Sequence, residues 1–182
     1  MAGSSSTFVA GLTAAAVATV GFLAYQASAN APDEVARPRA TASQAAPKAP
    51  RDRSKPTALP AGSGRGERVV YSVDDDRVWL VGPNGKVRRT FTVTPGSVDP
   101  PPGTYAVTSR SRTAIGTDGA SIEHVVRFAR VDGVVIGFSA AVDGSRRAPD
   151  PAVRTGGIRE SRADGNAMWT FATIGERIVV IR

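Results

Sequence analysis

Across residues 67–182, large apolar side chains return at every second position in short runs, and turn-forming residues cut the runs apart. Alternation of this kind puts one set of side chains on one face of a strand, so this part of the chain is confined to sheets with a buried face. Val69, Tyr71 and Val73 alternate with polar neighbours and lead through Asp74-Asp75-Asp76 into Val78, Trp79, Leu80 and Val81. Gly82-Pro83-Asn84-Gly85 marks a turn, after which Val87, Phe91 and Val93 share one face of a third strand. Pro100-Pro101-Pro102-Gly103 breaks the chain before another short strand at 104–108. Ile122, His124, Val126 and Phe128 alternate again, and Val134-Val135-Ile136 reads as a buried strand.

One stretch has a different period. Ser161 stands where a helix cap belongs, with Asp164 three residues on. Ala163, Ala167, Met168 and Phe171 then fall on one face at helical spacing, Gly175 ends the element, and residues 177–181 return as a last strand. Short strands separated by turn signals, with one helix among them, predict a mainly β fold. A β-sandwich or barrel-like sheet carrying that helix fits the spacing.

The rest of the chain has another character. Residues 1–32 hold no charged side chain, and residues 33–66 are rich in Ala, Pro, Ser, Arg and Lys. We read residues 1–29 as a membrane anchor or signal segment, 30–66 as a basic disordered linker and 67–182 as the folded domain. Residues 7–27 are uncharged and predict a transmembrane helix, since about 20 residues at roughly 1.5 Å each cross the hydrocarbon core. Ala27-Ser28-Ala29 fits a cleavage site, but nothing basic precedes the apolar run, which favours a retained anchor. Arg37 and Arg39 follow the segment, and by charge alone they would hold the domain on the cytoplasmic side. Six prolines in the linker keep it extended, and it buries too little apolar surface to fold.

Composition also removes chemistries. The chain has no cysteine, which excludes disulfides, thiolate catalysis and Cys-based metal sites together. Its one histidine, His124, excludes sites needing two imidazoles; sharing a face with Ile122, Val126 and Phe128, it reads as a core or edge residue. Asp74-Asp75-Asp76 lacks the spaced ligands of a calcium loop and reads as a solvated turn. No cofactor and no metal is expected. The net charge is +7. More than half of that excess lies between Asp33 and Arg65, off the domain and without interleaved aromatics, which argues against nucleic acid as the partner.

The segment Arg154-Thr155-Gly156-Gly157-Ile158-Arg159 then gains its meaning from the order of its surroundings. An opening hairpin with Asn84-Gly85-Lys86 and Arg89-Thr90-Phe91-Thr92-Val93 comes first, then Pro102-Gly103-Thr104-Tyr105, then Gly156-Gly157-Ile158-Arg159, the helix, and a closing strand. Together these resemble the L,D-transpeptidases, the enzymes that cross-link peptidoglycan in bacterial cell walls. The likeness covers about residues 67–181. It implies a family Ser/Thr-His-Gly-Cys motif at which Gly157 takes the cysteine position and Thr155 that of the histidine before it. A further family histidine lies some eighteen residues upstream, where this chain has Phe138 and Ser139. The resemblance thus implies a degenerate member with no catalytic residue at these places, since nucleophilic catalysis needs the thiolate and its base.

What the resemblance leaves is a binding groove formed by Thr155, Gly156, Gly157, Arg159, Phe138 and Ser139. Backbone donors around Gly156-Gly157 would still be able to hold a carbonyl oxygen there. Arg159 fits either a clamp on a neighbouring loop or a partner for a ligand carboxylate. The expected partner is peptidoglycan or a cell-wall protein, with the domain outside the membrane, opposite to the side that Arg37 and Arg39 favour. Two other readings stay open: a peptide transferase or hydrolase with a hydroxyl in place of the thiol, and a structural or regulatory subunit of a membrane complex. The oligomeric state is not legible.

Overall fold

The computed structural model describes Lys55 and residues 57–182. The expected membrane segment and most of the expected linker lie outside the described residues. Among the described residues no helix is long and apolar enough to cross a membrane.

Nine strands and one helix make up the described part. They are β1 (Arg68–Ser72), β2 (Arg77–Val81), β3 (Val87–Thr92), β4 (Gly103–Ala106), β5 (Ser109–Ile115), β6 (Ser121–Val131), β7 (Val134–Ala141), β8 (Gly156–Glu160), α1 (Arg162–Phe171) and β9 (Arg177–Ile181). The first sheet has the order β3-β2-β1-β9-β4 and the second β5-β6-β7-β8. Most neighbours are antiparallel; β1 with β9 and β7 with β8 are parallel. The mainly β architecture with one helix is therefore as the alternation implies.

One apolar core lies between the sheets. Val69, Tyr71, Val78 and Leu80 of the first sheet meet Val126, Phe128, Ile136, Phe138 and Ile158 of the second, with Met168 of α1 packed among them. Tyr71 sets its ring edge against Phe138, and Phe138 stacks on Phe128 at 5.2 Å between centroids. Offset and edge contacts of this kind suit the ring quadrupole. The helix begins as its sequence dictates: the Asp164 N–H donates to the Ser161 hydroxyl at 3.1 Å. Asp164 also accepts from both Arg89 Nε and Nη2, at 2.8 and 2.7 Å, which ties the helix start to β3.

Three sequence expectations change in the structure. Val87 does not share the buried face of Phe91 and Val93; a register shift beside Leu80 and Val81 turns it outward, 40% exposed. His124 does not continue the face of Val126 and Phe128. It takes a positive φ of 55° within a bulge of β6, and its ring lies 5.6 Å from that of Trp169. A bulge inserts one residue and so exchanges the faces on either side of it. Its Nδ1 is buried without the hydrogen-bond partner such a residue usually finds.

The third change is at the linker boundary. Packing begins near Thr57 rather than at Glu67. Trp79 Nε1 donates to the Thr57 carbonyl at 2.9 Å, and Leu59 packs with Val70, Trp79 and Val81 on the outer face of the first sheet. Arg68, almost fully buried, donates to the carbonyls of Ser63 and Gly66 at 2.7 and 2.6 Å. A few anchors in a polar, proline-rich stretch leave no periodic trace, so composition assigns all of it to the linker.

Candidate functional site

The parallel pairing of β7 with β8 aligns Gly137 with Gly157 and Ser139 with Arg159. Side chains alternate across a strand, so these four share one face while Ile136, Phe138 and Ile158 point into the core. Above that outer face lies a groove of about 140 Å³. Ile122, Val125 and Val135 give it apolar walls, Ser139, Thr155 and Thr117 supply hydroxyls, and Arg127 and Arg159 line it with guanidinium groups. A small recess continues past Thr155, Gly157 and Arg159 to Thr94, Asp118 and Arg147.

Thr155 is held from several sides. Its hydroxyl accepts the Gly157 N–H at 3.2 Å and the Thr117 hydroxyl at 2.6 Å. Its own N–H donates to Ser97 Oγ at 3.0 Å, and Ser97 Oγ donates to the Val153 carbonyl at 2.7 Å. The Val98 N–H donates to the Thr155 carbonyl at 3.0 Å. Residues 94–98 thus lie along the open edge of β8. Gly96 is needed for that approach, because a Cβ there would come within 2.2 Å of the Thr155 carbonyl oxygen.

Arg159 is a clamp. Its Nη2 donates to Asp118 Oδ2 at 2.8 Å and its Nη1 to Ser139 Oγ at 3.3 Å. The pair ties the β5–β6 turn to β8, and only 11% of the Arg159 side chain remains exposed. One strand position further on, Glu160 is buried with neither carboxyl oxygen hydrogen-bonded. Burial, and secondarily the nearby Asp164, push this carboxyl well above its ordinary range, which favours the neutral acid.

Four of the six expected site residues come together: Ser139, Thr155, Gly157 and Arg159 all line the groove. Two do not. Phe138 is turned by the strand period into the core, where it is fully buried. Gly156 faces inward as well; a Cβ on it would meet Ile136 Cδ1 at 2.3 Å. The expectation of a free backbone donor at Gly157 also changes, since the Thr155 hydroxyl already takes that N–H. Asp118, Thr117, Ser97 and Arg127 were not picked out from sequence. Gly116-Thr117-Asp118-Gly119 carries a turn signal, but nothing local links it to Arg159, 41 residues on.

His124 lies away from the groove on the helix side. Its ring meets Trp169, and the Arg110 guanidinium sits over the Trp169 ring, 3.7 Å from its centroid. Arg110 also donates to the Trp169 carbonyl. The chain's one imidazole is thus committed to a packed cluster with an aromatic ring and not to the Thr155–Gly157 backbone.

No protein-family model matches the sequence, and no curated protein matches it. Solved structures do. The chain is similar to an L,D-transpeptidase from Mycobacterium smegmatis, with a TM-score of 0.50 and 19% identity over 65% of this chain and 60% of that one. It is similar at the same TM-score to an L,D-transpeptidase of Enterococcus faecium, at 15% identity over 68% of this chain and 55% of that one. A third, from Stackebrandtia nassauensis, gives 0.50 with 15% identity over 65% and 56%. The fold is that of the L,D-transpeptidases. The chain spans about three-fifths of the length of the first of these structures.

Gly157 and Thr155, expected from the sequence resemblance at the family's cysteine and histidine positions, both lie on this groove. A Cβ built on Gly157 would meet only Thr155 Oγ1, at 3.4 Å, so the backbone at this position retains room for a side chain. Ser139, in the region of the other family histidine, faces the same groove. Thr155, Gly157 and Ser139 thus meet in one groove, which they line with two hydroxyls and a glycine.

Proposed function

We propose that this chain is a membrane-tethered protein that uses an L,D-transpeptidase fold to bind peptidoglycan peptides without transferring them. The observation that carries the reading is Gly157 lining the groove: a side-chain-free position whose N–H is turned to the Thr155 hydroxyl. A thiolate at that place would attack a peptide carbonyl, and a glycine leaves no atom to do so. The apolar walls of Ile122, Val125 and Val135 suit an extended peptide, with the hydroxyls of Ser139 and Thr155 placed to fix its backbone.

The tether belongs to the same proposal. Residues 7–27 would anchor the chain and the proline-rich linker would hold the domain outside the membrane, within reach of the wall. Protease accessibility of the domain in intact protoplasts tests this side of the reading, and protection from added protease counts against it. For the binding itself, the full-length protein in detergent is incubated with purified sacculi at low salt. Co-sedimentation is expected. No retention on sacculi, or turnover of tetrapeptide muropeptides, rejects the proposal, and turnover would instead favour a hydroxyl-based transferase.

A further inference from the structure

The groove does not end at Arg127. A wider cavity of about 350 Å³ adjoins it, and the two share Arg127 and Val135. Arg130 lines the far side of this second arm. The guanidinium groups at the two ends of the trough differ in how they are paired. Arg159 is neutralised by Asp118 at 2.8 Å. Arg127 donates only to the uncharged Ser111 hydroxyl, at 2.9 Å, and Arg130 only to the Gly133 carbonyl, at 2.8 Å. Among the described residues neither forms an ion pair with a carboxylate.

We infer that this second arm is an anion subsite that receives a carboxylate of a bound peptide, through the free guanidinium edges of Arg127 and Arg130. Each guanidinium carries five N–H donors in a planar fork, so one hydrogen bond to the protein orients the group and leaves an edge able to take a carboxylate in bidentate fashion. Both side chains are on one strand, β6, three residues apart, and the register shift between Arg127 and Ala129 lets them line one cavity. Between this arm and the neutral Arg159–Asp118 end run the apolar side chains of Ile122, Val125 and Val135. A uniformly charged phosphate polymer would have to lay charge along that stretch and lose its hydration. A peptide with a neutral backbone and an acid at one end meets like with like. The inference rests on the peptide-binding reading of the groove.

The test uses the full-length chain in detergent and three probes: a fluorescent peptide with one free carboxylate, the same peptide amidated there, and a glycerol-phosphate oligomer. A charge-assisted bidentate contact predicts that the acid binds about tenfold or more tighter than the amide. The double variant R127Q/R130Q should lose that preference and bind acid and amide alike, and Arg130→Gln alone, outside the groove lining, should already weaken the preference. Arg127→Lys in the Arg130 background should retain part of it. Equal binding of acid and amide by the unmodified chain overturns the subsite, and so does an oligomer that displaces the peptide. Gly157→Phe, which fills the groove, separates the two readings. Binding that survives this change but disappears in R127Q/R130Q rejects the groove and leaves the arm standing. No binding of either peptide by the unmodified chain rejects both.

Discussion

The two faces of β8 obey different rules, although they belong to five consecutive residues. On the inner face, Gly156, Ile158 and Glu160 are buried; on the outer, Gly157 and Arg159 are half-buried and hydrogen-bonded. Gly156 is a glycine because no space exists for anything else: the Val135 carbonyl would lie 2.5 Å from its Cβ and Ile136 Cδ1 2.3 Å. Gly157 is a glycine in a place with room, since its Cβ would touch one atom at 3.4 Å. Packing dictates the first residue and not the second. Two adjacent letters that look alike in the sequence therefore answer to different constraints.

The largest expected effect tests the inner face. Gly156→Ala forces a methyl into backbone and a packed isoleucine, and should lower stability by about 3 kcal/mol, the upper part of the range for overpacking. Urea denaturation measures it, and a loss below the error of that experiment would break the distinction between the two glycines.

Next stands the buried carboxyl on the same inner face. Burial raises the folded-state pKa of Glu160 above its unfolded value, so the folded state holds the proton over a pH range in which the unfolded state has released it. The stability that this group contributes is complete below the ordinary carboxylate range and is lost as pH rises toward the raised folded value. Glu160→Gln should remove that slope and leave the variant more stable than the unmodified chain in neutral and alkaline buffer. Denaturation midpoints measured from acid to alkaline pH decide the point; parallel curves for the two proteins would show that Glu160 does not carry the effect.

The outer face gives smaller numbers. Thr155→Val keeps the shape but strips the Gly157 N–H and the Thr117 hydroxyl of their acceptor. The cost should be about 1–2 kcal/mol. Asp118→Asn breaks a partly screened ion pair and should cost no more than about 1 kcal/mol, with a double-mutant cycle against Arg159→Gln isolating the coupling. Gly157→Ala should be neutral or stabilising by at most about 1 kcal/mol, because it restricts the unfolded chain and meets no obstacle in the folded one. A Gly157→Ala variant as damaged as Gly156→Ala would erase the difference between the faces.

Much of the fold could be read in advance because its signals are local. The Ser161 cap, the Gly82-Pro83-Asn84-Gly85 turn and the alternation in β1 and β2 need only neighbours along the chain. β5 escaped notice for the opposite reason. Ser109-Arg110-Ser111-Arg112-Thr113 has no apolar period, and its strand conformation comes from pairing with β6. The bulge at His124 was hidden likewise, since it is a mismatch between β6 and β7 and not a property of β6 alone. The site shows the same division. Thr155, Gly157, Arg159 and Ser139 are legible through motif order, whereas the neighbouring Phe138 was assigned to the groove only because sequence distance does not say which of two consecutive residues faces out. Asp118 and Ser97 reach the site by folding from far away, and no spacing rule announces them.

The strap at residues 57–60 lies on the first sheet, whereas the groove opens on the outer face of the second, with the shared core between. Tension arriving from the N-terminal side of the chain would enter through Trp79, Thr57 and the Arg68 bonds to Ser63 and Gly66. The point where the chain enters the folded part and the groove are thus held by separate sets of contacts.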